Sequence, residues 1–149
     1  MKCYLSSLRV RIATIVSVLL LSATSACAQN EAKPDGAKSA QDTIIAPLMG
    51  KEFANIPGKE GVMLTVEYAP GASSPTHRHD AHVFVYVLEG SIVMQAEGGQ
   101  PVTLGPGQTF YETPSDIHAV SKNASATKPA KFLVFMVKDK GVPPVLPAK

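Results

Sequence analysis

The stretch from Thr76 to Gly90, THRHDAHVFVYVLEG, holds a strand signal and three of the four histidines in the chain. From His82 to Leu88 the residues are β-branched, aromatic or leucine, and Glu89-Gly90 closes the run with a turn, the composition of a β-strand. Neighbouring side chains on a strand point to opposite faces, so Val83, Val85 and Val87 share one face while His82, Phe84, Tyr86 and Leu88 share the other. If the odd positions face inward, the three valines form a dry apolar wall suited to a partly apolar ligand.

Working outward, apolar stretches of strand length recur at Val62 to Tyr68, Ser91 to Ala96, Val102 to Leu104, Thr109 to Glu112, His118 to Ser121 and Phe132 to Val137. Pro70-Gly71, Glu89-Gly90, Gly98-Gly99, Gly105-Pro106-Gly107 and Pro114-Ser115 separate them, each a place where a tight turn costs little. With 12 prolines and 11 glycines in 149 residues and no long helical period, the pattern predicts an all-β fold, an antiparallel sandwich or barrel with one core. Phe84, Tyr86, Phe110 and Tyr111 read as packing residues within it.

The ends of the chain differ from this middle. Met1 to Ala28 reads as a signal peptide, with Lys2, Arg9 and Arg11 before an apolar run of about ten residues and Ala26-Cys27-Ala28 at the cleavage point. That run is half the length of a membrane span. A second reading makes Cys27 a lipidated first residue; both readings carry the protein across a membrane. Residues 29–47 are polar and aperiodic, a flexible leader; residues 48–140 form the barrel; and residues 141–149, with Pro143, Pro144 and Pro147, form an extended arm. The cysteines are Cys3 and Cys27, so the barrel contains no disulfide.

The formal charge of +2 is concentrated in the leading segment, and without its three cations the remainder carries about −1. No basic stripe is present, which gives no electrostatic reason for nucleic-acid binding. No Ser-His-Asp or Cys-His set is visible, and the glycines at 105 and 107 lack the lysine of a phosphate loop.

The four histidines fall at two places, His77, His79 and His82 near one turn and His118 near another. Two residues apart on a strand, His77 and His79 present their imidazoles to one side, a common start for a transition-metal site. His82 has the opposite parity, so a regular strand turns it outward, whereas a bulge between Asp80 and Val83 would turn it inward. Glu67 and Tyr111 are acid-base candidates if their strands turn them inward; Glu67 reads equally as a solvated strand residue.

These residues resemble the cupin family. Its first motif, glycine, five residues, His-x-His, three or four residues, glutamate, six residues, glycine, aligns with Gly71, His77, His79, Val83 and Gly90. Its second, glycine, five residues, Pro-x-Gly, two residues, histidine, three residues, asparagine, aligns with Gly107, Thr113, Ser115, His118 and Lys122. The glutamate is missing, replaced by Val83, or by Phe84 under the longer spacing, and the asparagine is displaced to Asn123.

The resemblance implies a jelly-roll barrel, a homodimer, and a divalent transition metal (Fe, Mn, Ni, Cu or Zn) held by His77, His79 and His118, with His82 as a candidate replacement for the missing acid. Three neutral imidazoles leave such an ion its full charge and open positions for a small-molecule ligand. Two functions follow: a metal-dependent dioxygenase or isomerase, or a module that binds a metal or small ligand without turnover. A third reading leaves the histidines as polar residues with no metal. Fold analogy alone does not choose between them.

Overall fold

The structure, a computed structural model, describes residues 42–148; the signal-peptide and lipid-anchor assignments lie outside the described residues. Eleven strands run in chain order: β1 Thr43–Glu52, β2 Lys59–Tyr68, β3 Ser73–Ser74, β4 His77–Arg78, β5 Ala81–Glu89, β6 Ile92–Ala96, β7 Val102–Leu104, β8 Thr109–Glu112, β9 Ile117–Asn123, β10 Ala130–Asp139 and β11 Leu146–Pro147. Among the described residues there is no α-helix, and no helix is long and apolar enough to cross a membrane.

The strands form two antiparallel sheets that face each other. One has the order β1-β2-β10-β5-β8 and the other β11-β4-β9-β6-β7, with β3 also paired to β9. All seven strands read from the apolar stretches are present. Two boundaries differ. β1 begins at Thr43, so residues 43–47 belong to a strand rather than to the leader, paired with β2 from Thr43↔Tyr68 to Glu52↔Glu60 with a bulge between Pro47 and Met49. In the arm, β11 pairs with β4 of its own barrel through Leu146↔Arg78 and Pro147↔His77.

Register stacks the core in rows. Leu64, Val134 and Val85 lie side by side across β2, β10 and β5, and Val66, Phe132 and Val87 form the next row. All six are buried. Tyr68 packs on Phe132 with ring centroids 5.4 Å apart. The chain passes from β5 in one sheet to β6 in the other through Gly90, at φ +70°. A Cβ there would lie 2.4 Å from the Pro129 carbonyl oxygen and 2.8 Å from Ala130 Cα, so only glycine fits.

Lys138 has inward parity on β10 and is buried, an unusual place for a lysine. Its ammonium pairs with Glu60 and donates to the Val142 carbonyl at 2.6 Å. That hydrogen bond from Lys138 holds the Glu60 carboxyl below its ordinary value. The pair fixes the turn from which the C-terminal arm departs.

Candidate metal centre

His77 and His118 are register partners across β4 and β9, which brings their Cβ atoms within about 5 Å on one face. Their ring centroids are 5.0 Å apart, and that of His79 lies 4.7 Å from His77 and 6.2 Å from His118. One ligating nitrogen from each ring falls within 4.8 Å of the other two. The structure therefore brings together His77, His79 and His118 as a cluster that could hold one metal ion.

The local backbone that achieves this differs from one continuous strand. β4 ends at Arg78, and Asp80 takes a left-handed conformation at φ +47°, where the chain crosses from one sheet to the other. His79 thus sits at the crossover, inward and 6% exposed. Inward parity then continues through Ala81 and Val83, so His82 points outward. Its Nδ1 lies 2.7 Å from the Tyr111 hydroxyl, on the outer face of the barrel. His82 takes no part in the cluster, and neither acid-base candidate faces it: Tyr111 is half-exposed beside His82, and Glu67 pairs with Lys131 across the outer side of β2 and β10.

Two carbonyls orient the rings. His79 Nδ1 is 2.6 Å from the Pro144 oxygen, and His77 Nδ1 is 2.7 Å from the Pro75 oxygen. A carbonyl only accepts, so both Nδ1 atoms carry the proton and each Nε2 keeps its lone pair for a metal. Burial pushes the His77 pKa below its ordinary value of 6.5, which keeps that ring neutral at pH 7. Removing residues 143–149 deletes the Pro144 carbonyl together with β11. We expect metal affinity to fall roughly 10–100-fold with circular dichroism unchanged, as for loss of other outer partners of metal ligands; unchanged affinity would show that the arm does not orient His79.

A bulge on β9 places His118. β6 pairs Gln95 with Val120 and Ala96 with His118, leaving Ala119 unpaired. The extra residue lets His118, Ser121 and Asn123 all face inward despite their uneven spacing. It also explains the displaced asparagine: Lys122 is exposed, whereas Asn123 is buried and donates to the Ala69 and Lys128 carbonyls at 3.0 and 2.8 Å.

Sequence reasoning missed Glu112. It lies on β8 with 1% exposure, Oε1 2.8 Å from His118 Nδ1 and Oε2 3.5 Å from His79 Nε2. Neither oxygen makes a hydrogen bond, and neither does either ring nitrogen of His118. Buried polar atoms that face one another without hydrogen-bond geometry are what converging metal donors look like before the ion is added, so the residues fit a metal.

The cluster opens into a cavity of about 630 Å³ between the sheets. Val83 and Val85 line it, together with Leu64, Met94, Phe132 and Met136. Val87 does not: it is fully buried in the core row beyond, a correction to the expected three-valine wall. The cavity's polar wall is Tyr68, Ser74 and Ser121, with the Tyr68 hydroxyl 2.6 Å from Ser74 Oγ and 2.7 Å from Ser121 Oγ. Burial raises the Tyr68 pKa, so the phenol stays protonated near neutrality.

Fold and site together define a double-stranded β-helix with a histidine cluster lining its cavity. The sequence matches the Cupin_2 family, described as a cupin domain, over residues 64–136, and the chain is a small cupin-domain protein. No curated protein matches the sequence. Among solved structures it is similar to the DMSP lyase DddQ from Ruegeria pomeroyi, with 27% identity and a TM-score of 0.51 over 58% of this chain and 42% of that one. It therefore spans about two fifths of that enzyme's length. It is also similar to the polyketide cyclase RemF from Streptomyces resistomycificus, with 24% identity and TM-score 0.56 over 73% and 72% of the two chains. A conserved protein with a double-stranded β-helix domain from Klebsiella pneumoniae gives 17% identity and TM-score 0.58 over 74% and 89%. The last two likenesses concern the fold alone.

Proposed function

We propose that this protein is an exported, metal-dependent cupin that acts on a small, largely apolar organic molecule by oxygenase or isomerase chemistry. One observation carries the reading: three imidazoles, two with their Nδ1 protons fixed by carbonyls, converge at the wall of an apolar cavity of about 630 Å³. That volume suits one small organic molecule. A bound Fe, Mn, Ni, Cu or Zn ion would supply a Lewis acid to which an oxygen atom of that molecule can bind. His77, His79 and His118 would hold the ion, Val83, Val85 and Met136 would exclude water, and the hydroxyls of Tyr68, Ser74 and Ser121 would form the polar wall beside the ligand. Export rests on the reading of Met1 to Ala28.

The test is to load purified protein with each metal in turn and measure oxygen uptake and product formation against panels of phenols, diketones and thiols. Turnover that requires both metal and His77 supports the enzyme. Stoichiometric ligand binding with no turnover by any metal supports instead a binding or sensing module.

We also propose a homodimer. Support comes from Phe84, Tyr86 and Tyr111, which are 48%, 45% and 46% exposed on the outer face of the five-stranded sheet, an unusually aromatic surface for solvent. Light scattering should give twice the chain mass for the wild type and the single-chain mass for Phe84→Glu/Tyr86→Glu. A monomeric wild type would refute the pairing.

A further inference from the structure

We infer that Glu112 is a direct metal ligand, a carboxylate delivered from β8 to the place where the first family motif would have put its own glutamate. This rests on the metal-site reading above and adds a donor to it. β5 and β8 pair with Val83 directly opposite Glu112. Opposed residues of an antiparallel pair project to the same face with Cβ atoms about 5 Å apart. The valine at the motif position and the glutamate across the ladder therefore point at one spot, and the carboxylate missing from one strand is present on its neighbour.

Three further observations fit a ligand rather than a structural acid. Glu112 is almost wholly buried, yet its contacts within ion-pair range among the described residues are His79 and His118, with no lysine or arginine. An ionised carboxylate held this way lacks compensation until a cation joins it. The Oε2 contact is to His79 Nε2, the nitrogen left free for metal because Nδ1 donates to Pro144. Two donors each about 2.1 Å from one ion stand roughly 3.0–3.4 Å apart at octahedral or tetrahedral angles, close to the 3.5 Å seen. Finally, His118 Nδ1 and Glu112 Oε1 approach to 2.8 Å without forming a hydrogen bond, which argues against an acid that merely steadies the imidazole.

With Glu112 the donor set becomes three nitrogens and one carboxylate oxygen. One negative charge offsets part of the ion's charge, and an octahedral ion keeps two open positions in place of three. A hard oxygen donor also shifts preference toward Mn²⁺ and Fe²⁺.

The experiment compares wild type, Glu112→Gln, Glu112→Val and the relocated pair Glu112→Val/Val83→Glu by calorimetric titration with Mn²⁺ and by the ligand-field spectrum of the Co²⁺-loaded protein. We expect one equivalent bound by the wild type, an affinity loss beyond about 100-fold in both single variants, more than removal of an outer partner causes, and a changed Co²⁺ spectrum. Moving the carboxylate back across the ladder restores affinity to within about tenfold of wild type, since outer-partner losses alone begin at that size. Wild-type affinity and an unaltered spectrum in Glu112→Gln would overturn the assignment of Glu112 while leaving the histidine site standing. A wild type that binds no metal would overturn both.

Discussion

Replacing His118 by alanine removes stoichiometric metal binding while the barrel stays folded. His118 supplies the donor that comes from the second motif, and without it His77 and His79 remain as two neighbours on one short stretch of chain. Loss of an outer partner typically weakens a metal site about 10–100-fold, so loss of one of three direct nitrogens must exceed that. Stability should fall less than for truncation in the closed core, because the ring borders the cavity and neither of its nitrogens has a hydrogen bond to lose. Calorimetric titration with Mn²⁺ or Zn²⁺ and a urea melt measure the two quantities separately. The matching control is His82→Ala, which leaves affinity unchanged because that ring points outward toward Tyr111. Equal damage from both substitutions would mean that the strand turns the other way.

Phe132→Ala is expected to cost roughly 3 kcal/mol or more of unfolding free energy, within the range for phenylalanine truncation in a core. The ring is 3% exposed, stands between Val66 and Val87 in the core row and packs on Tyr68. One side of it already borders the cavity, which places the loss near the lower end of the range. Single domains are stable by about 5–15 kcal/mol. No cysteine lies among the described residues to add a disulfide, so a loss of this size should be plain in the urea midpoint. A change below about 1 kcal/mol would show that the sheets do not close on this residue in the way the register requires.

The fold was legible because its central strands are apolar runs of strand length bounded by turn residues. β5 sets valine at every second position, β10 is apolar throughout from Phe132 to Val137, and both alternate in burial. β1 was not legible: TIIAPLMGKE has a proline inside it, no clean alternation and a bulge, and its residues are mostly exposed because it is an edge strand. The three-histidine cluster could be found because His77 and His79 stand two residues apart and His118 falls at the histidine of the second family motif. Parity also placed His82 correctly on the outside. Glu112 left no such trace. Nothing in Thr109 to Glu112 marks one acid as special, and its importance depends on the Val83↔Glu112 register, a relation between distant segments. The same holds for Pro144, whose carbonyl reaches His79 across 65 residues. Val87 was misplaced for a different reason: parity reports which face a side chain takes, but not how far along the strand the cavity extends.

The most direct test is an anomalous diffraction map of crystals grown with Mn²⁺ or Zn²⁺. We expect a single strong peak about 2.0–2.3 Å from one nitrogen each of His77, His79 and His118. An empty cluster at saturating metal, or a peak bound by other residues, would contradict the account.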